Sequence, residues 1–423
     1  YDGANFPNTE SDQNKDKTYT MEVLYAEGGT ALGQSSSVKS RDSVAVGQSS
    51  RVGNYKTDST TSEQIQINTQ GSTAIGQNSA AYAKFSVALG KDAQVGESGY
   101  GTTEATIYPE TASGYLDGTP DDAYPDQNAF YSVAIGQNSK VVSSYSIAVG
   151  KDSTVTKGST SSISIGALSK VDGKENTLLG EGSQIAGART LQNYEYVSNT
   201  SGTNRVIEGS NTSSQVGDKN TAVGQASSVS GSNNLALGAG SSVTGKSIVK
   251  KRYSIKPDVP QYSYFNANNP FYTYEETIEE ASNSTAVGYD SKVYGNNNTA
   301  LGAGSQVSGA ETTGTADGVR AIPDGMKTIN AISEGTALGY QSKVTTSGGV
   351  ALGANSVASR GVETTQGYDV AIGGAHTGTR TSTWAPTAAA VSVGDSSNNI
   401  TRRITGVAAG SQDTDAVNVA QLR

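Results

Sequence analysis

Two segments of the chain contain residue types that could do enzymatic chemistry. Residues 240–247, which read GSSVTGKS, match the phosphate-binding loop in which backbone amides and a lysine surround phosphate groups. That loop needs a helix after it, but the residues that follow are β-branched and include Pro257. His376 is the only histidine, so any Ser-His-Asp triad would need it. No GxSxG motif accompanies it, and we interpret it as a cap or turn residue. We therefore predict no catalytic residues.

A tyrosine-rich segment, 246–282, is the candidate for ligand binding. Tyrosine offers rigid contact area together with a hydroxyl group, and the candidate contact residues are Tyr253, Tyr262, Tyr264, Phe265, Phe271, Tyr272 and Tyr274. Alternation with polar residues predicts paired strands. Basic residues 250–252 begin the segment and glutamates lie near its end, so opposite charges could hold two arms together. The alternative is that the rings form the segment's own small core.

Composition excludes several other classes of protein. The 423 residues carry a net charge of −9, 34% apolar residues, 51 glycines and no cysteine. No run of 18 apolar residues is present, and the acidic balance argues against nucleic-acid binding. Without cysteine there is no disulfide or thiolate site, and no calcium-loop spacing is found. We predict no cofactor and no metal. The chain starts at Tyr1 without a signal peptide, which indicates a mature or excised fragment.

The element that must position any site is a repeat. A four-residue piece such as Val133–Gly136 (VAIG) recurs sixteen times, most often at a spacing of 14 residues. In fourteen copies, Ser or Ala follows the glycine at the third position, and Val, Ile or Ala at the fifth. The copies end at Gly33, Gly47, Gly76, Gly90, Gly136, Gly150, Gly166, Gly180, Gly224, Gly238, Gly288, Gly302, Gly339, Gly353, Gly373 and Gly394. Period-2 alternation predicts two short strands in each unit.

The two strands of a unit have different faces. In Val133–Gly136 the valine and isoleucine lie on one face and the alanine on the other, and both faces are apolar. A strand that is apolar on both faces must be covered on both. In the second strand, Ser139 and Val141 share one face, whereas Lys140 is polar. A single coil cannot cover the outer apolar face of its first strand. We therefore expect a cyclic homo-oligomer; the alternative is a monomer whose inserts cover that face.

The repeat and the C-terminus together resemble a known family. The units SVAVGQSS (Ser43–Ser50) and SVAIGQNS (Ser132–Ser139) resemble the head repeats of trimeric autotransporter adhesins, the YadA-like head. The stretch ITGVAAGSQDTDAVNVAQLR (Ile404–Arg423) resembles the neck before the coiled-coil stalk. The resemblance implies an all-β, left-handed parallel β-roll of about sixteen coils, assembled as a homotrimer. It also implies a location at the bacterial outer membrane, through an anchor outside this chain. Thr414 or Asp415 is predicted to cap the first stalk helix.

Long inserts interrupt the roll, and each follows a second strand. We divide the chain into an N-terminal polar segment (1–28), a head (29–394), and a neck with the start of the stalk (395–423). The inserts lie at about 54–70, 97–129, 188–219, 246–282 and 310–333. Because they leave the coil at the same phase, we expect them on one edge of the roll. The sequence predicts a hairpin in 188–219, with Tyr194, Tyr196 and Val197 opposite Val206 and Ile207, and a loop in 97–129. Trp384 is expected to plug the end of the roll.

The function favoured by these features is non-enzymatic adhesion. Three copies of each insert would attach multivalently to host cells, matrix proteins, glycans or partner bacteria. One alternative is a trimeric, tailspike-like enzyme that cleaves glycans with carboxylates between chains. The other is a passive surface rod that only associates with itself.

Overall fold

The fold of the computed structural model is built from two long parallel β-sheets that lie back to back. The structure describes residues 28–57, 64–67, 69–97, 129–187, 189–197, 204–214, 217–254, 271–313, 315–316 and 327–423. Each coil contributes one strand to the first sheet and one to the second, and every neighbouring pair within these sheets is parallel, as in Ala134 beside Ala148. The predicted parallel β-roll is confirmed.

The strands are numbered in chain order. The first sheet consists of β1 (Thr30–Leu32), β3 (Val44–Val46), β7 (Thr73–Ile75), β9 (Val87–Leu89), β11 (Val133–Ile135), β13 (Ile147–Val149), β15 (Ile163–Ile165), β17 (Thr177–Leu179), β21 (Thr221–Val223), β23 (Leu235–Leu237), β28 (Thr285–Val287), β30 (Thr299–Leu301), β35 (Thr336–Leu338), β37 (Val350–Leu352) and β41 (Val391–Ser392).

The second sheet consists of β2 (Ser37–Val38), β4 (Arg51–Val52), β8 (Ala80–Ala81), β10 (Gln94–Val95), β12 (Lys140–Val141), β14 (Thr154–Val155), β16 (Lys170–Val171), β18 (Gln184–Ala186), β22 (Ser228–Ser232), β24 (Ser242–Thr244), β29 (Lys292–Tyr294), β31 (Gln306–Val307), β36 (Lys343–Val344) and β38 (Val357–Ala358), with β27 (Ala281–Ser282) beside β22.

The core between the sheets is thin and made of small side chains. The central residue of each first strand faces inward, and the second strand supplies a valine or similar residue. Ala134 and Val141, for example, are both fully buried. The coil of β15 has a polar residue in this core: Ser164 occupies the position that is alanine in most coils, and its hydroxyl lies 2.9 Å from that of Ser169. The hydrophobic core accordingly divides into one cluster that ends at Val155 and another that begins at Val171.

A buried polar ladder closes the turn before most of the first strands. At the position four residues before the repeat glycine, serine and asparagine side chains bond to the next coil. Asn220 Oδ1 accepts from the backbone N–H of Asn234 at 3.0 Å, while Asn220 Nδ2 donates to the carbonyl of Gly231 at 2.7 Å. Serine at this position acts similarly, since Ser72 Oγ accepts from Ser86 N and donates to Ala83 O. Satisfying these buried groups between coils stabilises the stack.

Among the described residues the first sheet has fifteen strands, in agreement with the expected roll of about sixteen coils, and one of the sixteen repeat copies lies outside it. The copy at Val370–Gly373 does not join the first sheet. It lies instead in the tip of a hairpin formed by β39 (Tyr368–Asp369) and β40 (Gly374–Ala375), with Val370 87% exposed. The physical reason lies in the missing second half of the unit. His376 and Gly378 replace the buried serine and valine, so this copy could not supply an inward-facing second strand.

Three inserts combine into one further sheet, which we call the insert sheet. The strands are β19 (Arg189–Val197), β20 (Asn204–Ser214), β25 (Ser247–Ser254), β26 (Phe271–Ile278), β32 (Glu311–Thr313), β33 (Thr315–Ala316) and β34 (Lys327–Ile329). Their order in the sheet is β20-β19-β26-β25-β34-β32, and β33 pairs with β25. The first insert forms a separate hairpin of β5 (Asn54–Thr57) and β6 (Gln64–Ile67).

The neck contains two short 3₁₀ turns, Ser396–Asn398 and Val419–Leu422. The prediction that Thr414 or Asp415 caps a stalk helix is wrong. Asn418 caps the second turn in a capping box with Gln421, whereas the Asp415 carboxylate accepts from the amides of Ser411 and Gln412. Those two hydrogen bonds lower the pKa of Asp415. Because the Asp415 carboxylate is used by amides that precede it, it does not cap the amides that follow it. Within the described ranges, no helix has the length and apolarity to cross a membrane.

Candidate functional site

The outer face of the first sheet is apolar and open in the single chain. On each first strand the central residue points into the core, so the residues on either side of it point outward. Leu32 is 66% exposed, and Leu301 and Leu338 are each 43% exposed, while the Ala300 between the strand ends is fully buried. Leu301 lies directly beside Leu338 in the parallel register. An extended row of exposed aliphatic residues of this kind is typical of an association surface.

The outer face of the second sheet is different, because its outward positions are polar. Lys140 forms an ion pair with Glu97 at 3.0 Å, and Lys170 forms one with Asp172 at 2.9 Å. Both lysine side chains remain 38% exposed. The roll therefore has one face suited to protein contact and one face suited to water, as the strand patterns predict.

The insert sheet holds the described part of the tyrosine-rich candidate site. β25 pairs with β26 in antiparallel register, with Tyr253 opposite Tyr272 and Lys251 opposite Tyr274. Because directly opposed residues share a face of a sheet, Tyr253, Tyr272 and Tyr274 occupy positions on one face. Phe271 is opposite Ser254 and belongs to the other face. Tyr262, Tyr264 and Phe265 lie outside the described residues, as does the predicted loop between 98 and 128.

The hairpin predicted in 188–219 is confirmed. The sequence did not predict that its first strand also pairs with a strand of another insert. β19 pairs with β20, with Tyr194 opposite Ile207. The same strand also pairs with β26 of the next insert, which places Tyr194 opposite Thr273 and Tyr196 opposite Phe271. Tyr194 and Tyr196 therefore lie on the Phe271 face of the insert sheet. Both inserts leave the coil at the same position, and this feature of the sequence predicts that they lie close together. It does not specify which of their strands pair.

The strand positions also bear on two motifs noted in the sequence, the opposite charges of the tyrosine-rich segment and the phosphate-loop pattern. Lys250 lies opposite Glu275 in the β25–β26 pair, which is the arrangement expected if opposite charges hold the two arms together. In the GSSVTGKS segment, Val243 is a fully buried core residue, and Ser247 begins β25 rather than a helix. A helix N-terminus that could bind phosphate is therefore replaced by a strand.

An aromatic ladder on the surface of the roll escaped the sequence reasoning. Phe85 and Tyr131 stack with ring centroids 5.1 Å apart, and Tyr131 and Tyr145 stack at 5.5 Å. Each ring lies five residues before a repeat glycine, at a left-handed turn position with φ between 53° and 57°. Bulky residues rarely adopt this conformation, so the stacking offsets local strain. The common position in three units was a signal that could have revealed it.

The segment between the roll and the neck, 359–390, is organised around the only histidine and the only tryptophan. His376 Nδ1 lies 2.9 Å from Asp369 Oδ2, and the imidazole stacks on the Trp384 indole at 4.2 Å and an interplanar angle of 3°. His376 is thus a packed residue rather than a simple cap or turn. The role of Trp384 as a plug for the end of the roll stays a prediction. Arg402 donates to the last coil, through Ala354 O at 2.6 Å.

The Asp369–His376 contact predicts an acid-sensitive junction. The hydrogen bond to His376, followed by that from the Ala371 amide, lowers the pKa of Asp369. A carboxyl group with a lowered folded-state pKa contributes stability above its unfolded value of about 3.9, and that stability is lost as the pH falls through the folded value. Acidification below about pH 4 is therefore expected to release the stacked ring, and fluorescence of Trp384 reports the change.

Matched variants separate this local event from acid unfolding of the whole roll. In Asp369→Asn the acid-induced fluorescence change is expected to disappear, because no carboxylate remains to be protonated. Glu363→Gln is the control: the pKa of Glu363 is also lowered, by Arg360, but its ion pair does not include the indole. If Asp369→Asn and the native protein titrate alike, Asp369 does not control the junction.

Comparison with known families identifies two parts of the chain. The model of the YadA head domain repeat (2 copies) matches residues 26–50, 70–93, 128–153, 280–305 and 333–356. The model of the coiled stalk of trimeric autotransporter adhesin matches residues 403–423. The head matches coincide with coils of the roll, and the stalk match begins next to Arg402, which contacts the last coil.

Short stretches are similar to curated adhesins. Autotransporter adhesin BadA of Bartonella henselae is 60% identical over 40 residues, which is 10% of this chain and 1% of that protein. Trimeric autotransporter adhesin AtaA of Acinetobacter sp. (strain Tol 5) is 74% identical over 34 residues, 8% of this chain and 1% of that protein. The matched stretches thus span about 1% of the length of these relatives.

Among solved structures, the collagen-binding domain of the Yersinia adhesin YadA aligns with 69% of this chain and 81% of that domain. The sequence identity is 19% and the TM-score 0.25, values at which the alignment adds nothing about ligands. The repeat matches, the stalk match and the parallel roll agree with one another. The chain therefore contains a YadA-like head with a neck, similar to those of trimeric autotransporter adhesins.

Proposed function

We propose that this chain is the non-enzymatic head of a bacterial surface adhesin that works as a homotrimer. The observation that carries the proposal is the apolar outer face of the first sheet, exposed along the roll in a single chain. Leu301, 43% exposed, and Leu32, 66% exposed, illustrate it. Three chains that pack these faces around one axis would remove them from water at about 25 cal/mol per Å². The stalk would hold the head away from the outer membrane.

The insert sheet is the proposed contact surface for the ligand. It combines strands from three inserts, and the candidate positions Tyr253, Tyr272 and Tyr274 share one of its faces. With three copies in a trimer, weak sites can give firm attachment, because linked sites raise avidity by about 10²–10⁴-fold. The partner classes are host-cell surfaces, matrix proteins, glycans and other bacteria.

Binding of the purified head to host epithelial cells, matrix proteins, a glycan array and partner bacteria tests the proposal. One variant replaces residues 255–270, which contain Tyr262, Tyr264 and Phe265, by a short Gly/Ser linker that still joins β25 to β26. The control shortens residues 58–63, which join β5 to β6. We expect the first variant to lose most binding and the control to keep it.

Two results would overturn this assignment. If the native head binds none of these targets and only aggregates with itself, the molecule is a passive rod. If the head binds but both shortened variants bind equally well, the tyrosine-rich insert is not the contact surface.

A further inference from the structure

Three asparagines occupy the same turn position in different coils. They differ in whether a threonine follows two residues later. Asn233, Asn283 and Asn297 each occupy the left-handed position five residues before a repeat glycine, with φ of 59°, 54° and 56°. All three are exposed. The second residue after Asn297 is Thr299 and after Asn283 is Thr285, whereas after Asn233 it is Leu235. Asn-X-Ser/Thr is the acceptor pattern for sugar transfer to an asparagine side chain.

Asn297 is the member of this set with both reacting groups accessible. Asn283 Nδ2 donates to Asn297 Oδ1 at 3.3 Å, so the Asn283 amide nitrogen is engaged. Among the described residues, Asn297 Nδ2 and the Thr299 hydroxyl make no hydrogen bond, and Thr299 is exposed. The next asparagine is the opposite case. Asn298 is fully buried, with Nδ2 bonded to Ile332 O and Oδ1 accepting from Gly335 N.

The neck contains a second acceptor pattern with the same properties. Asn399 has φ of 56° and precedes Ile400 and Thr401. Asn399 and Thr401 are both exposed. The backbone N–H of Asn399 is used by the preceding 3₁₀ turn, where it donates to Ser396 O, but its side-chain amide has no such role in the described structure.

We propose that Asn297, and with it Asn399, is a site of asparagine-linked glycosylation. In the transfer, the side-chain amide nitrogen forms a bond to the anomeric carbon of an activated sugar. The bond from that carbon to the donor's phosphate oxygen breaks, the phosphate-bearing group leaves with the electron pair, and the amide loses one proton. The donor is a nucleotide sugar or a sugar on a lipid pyrophosphate. Because Thr299 lies on the outer face of the first sheet, transfer precedes the packing of chains on that face.

Peptide mass spectrometry of the full-length protein, isolated from the surface of the cells that make it, tests the proposal. Trypsin releases residues 293–320, which hold Asn297 in the only acceptor pattern of that peptide, and residues 220–246, which hold Asn233 without one. We expect a sugar mass on 293–320 and on 381–402, and none on 220–246. Repeated additions of one monosaccharide indicate a nucleotide-sugar donor, and a single fixed oligosaccharide mass indicates a lipid-linked donor.

Two substitutions made in the same cells assign the site. Asn297→Gln removes the acceptor, and Thr299→Val removes only the hydroxyl while keeping the shape of the side chain. Each is expected to abolish the added mass on 293–320 completely and to leave 381–402 unchanged. The digest does not require the variants to be folded. The proposal is overturned if 293–320 and 381–402 appear only at their unmodified masses, or if 220–246 carries the same sugar.

Discussion

A head carrying both Leu301→Asp and Leu338→Asp is expected to be a single chain in solution, whereas the native head is expected to have the mass of three chains. The two leucines are neighbours in the first sheet and each is 43% exposed in the isolated chain. Burying a leucine contributes about 1.5–3 kcal/mol, and the trimer would bury six of them at this level. Burying unpaired carboxylates instead costs several kcal/mol for each group. Multi-angle light scattering of the purified proteins measures the outcome.

The matched control places the same charges on the polar outer face of the roll. Gln184 and Ser228 are neighbours in the second sheet, and Gln184→Asp with Ser228→Asp is expected to leave the trimer intact. Native protein with the mass of one chain would disprove the role of the apolar face outright. A trimer that persists in the leucine variant would show that these two coils lie outside the interface.

Replacing Gly238 with alanine is expected to destabilise the head by about 3 kcal/mol or more, from the combined costs of left-handed strain and overpacking. Its φ is +131°, and an added Cβ would lie 2.4 Å from the carbonyl oxygen of Gly288 in the next coil. That neighbour is backbone inside a continuous stack, so it cannot move without disturbing the coil above it. Urea unfolding at one fixed protein concentration measures the change.

Gly182→Ala provides the comparison. Gly182 also has a positive φ, +64°, but nothing lies within 4 Å of an added Cβ. Only the cost of the left-handed backbone conformation remains, and the free energy of unfolding is expected to fall by about 1–2 kcal/mol. Equal losses at the two positions would show that close contact between successive glycines does not limit the stacking of coils.

Much of the roll could be predicted because its signals are local and repeated. The alternation in Val133–Gly136 specifies which residue faces inward, and the register confirms it coil after coil. When one unit departs from the pattern, its neighbours still indicate the correct strand positions, since each coil stacks on an almost identical one. The exposed outer face follows from the same alternation, because within the described part of the chain no second layer covers it.

Val370–Gly373 shows the limit of that reasoning. It has the same four letters as Val133–Gly136 but forms part of an exposed hairpin. Its unit lacks the serine and valine that would form a second strand. Val391–Gly394 is also followed by no second strand, and it joins the first sheet only as the last strand of the stack. The insert sheet was beyond sequence reasoning for another reason. The pairing of β19 with β26 joins two inserts through backbone hydrogen bonds that any extended segment can make. The choice among possible edges is therefore made by three-dimensional proximity.

The amino-acid sequence by itself determined the stacked coils, the small-residue core and the apolar face, since each follows from alternation within one 14-residue unit. The tertiary structure decided which strands the inserts share, that Asn418 rather than Thr414 or Asp415 caps the last turn, and that His376 meets Asp369 and Trp384. Those outcomes depend on contacts between segments that are distant in the sequence, and no local pattern relates such segments. One pairing becomes more stable than the alternatives only when the folded roll holds the segments close together.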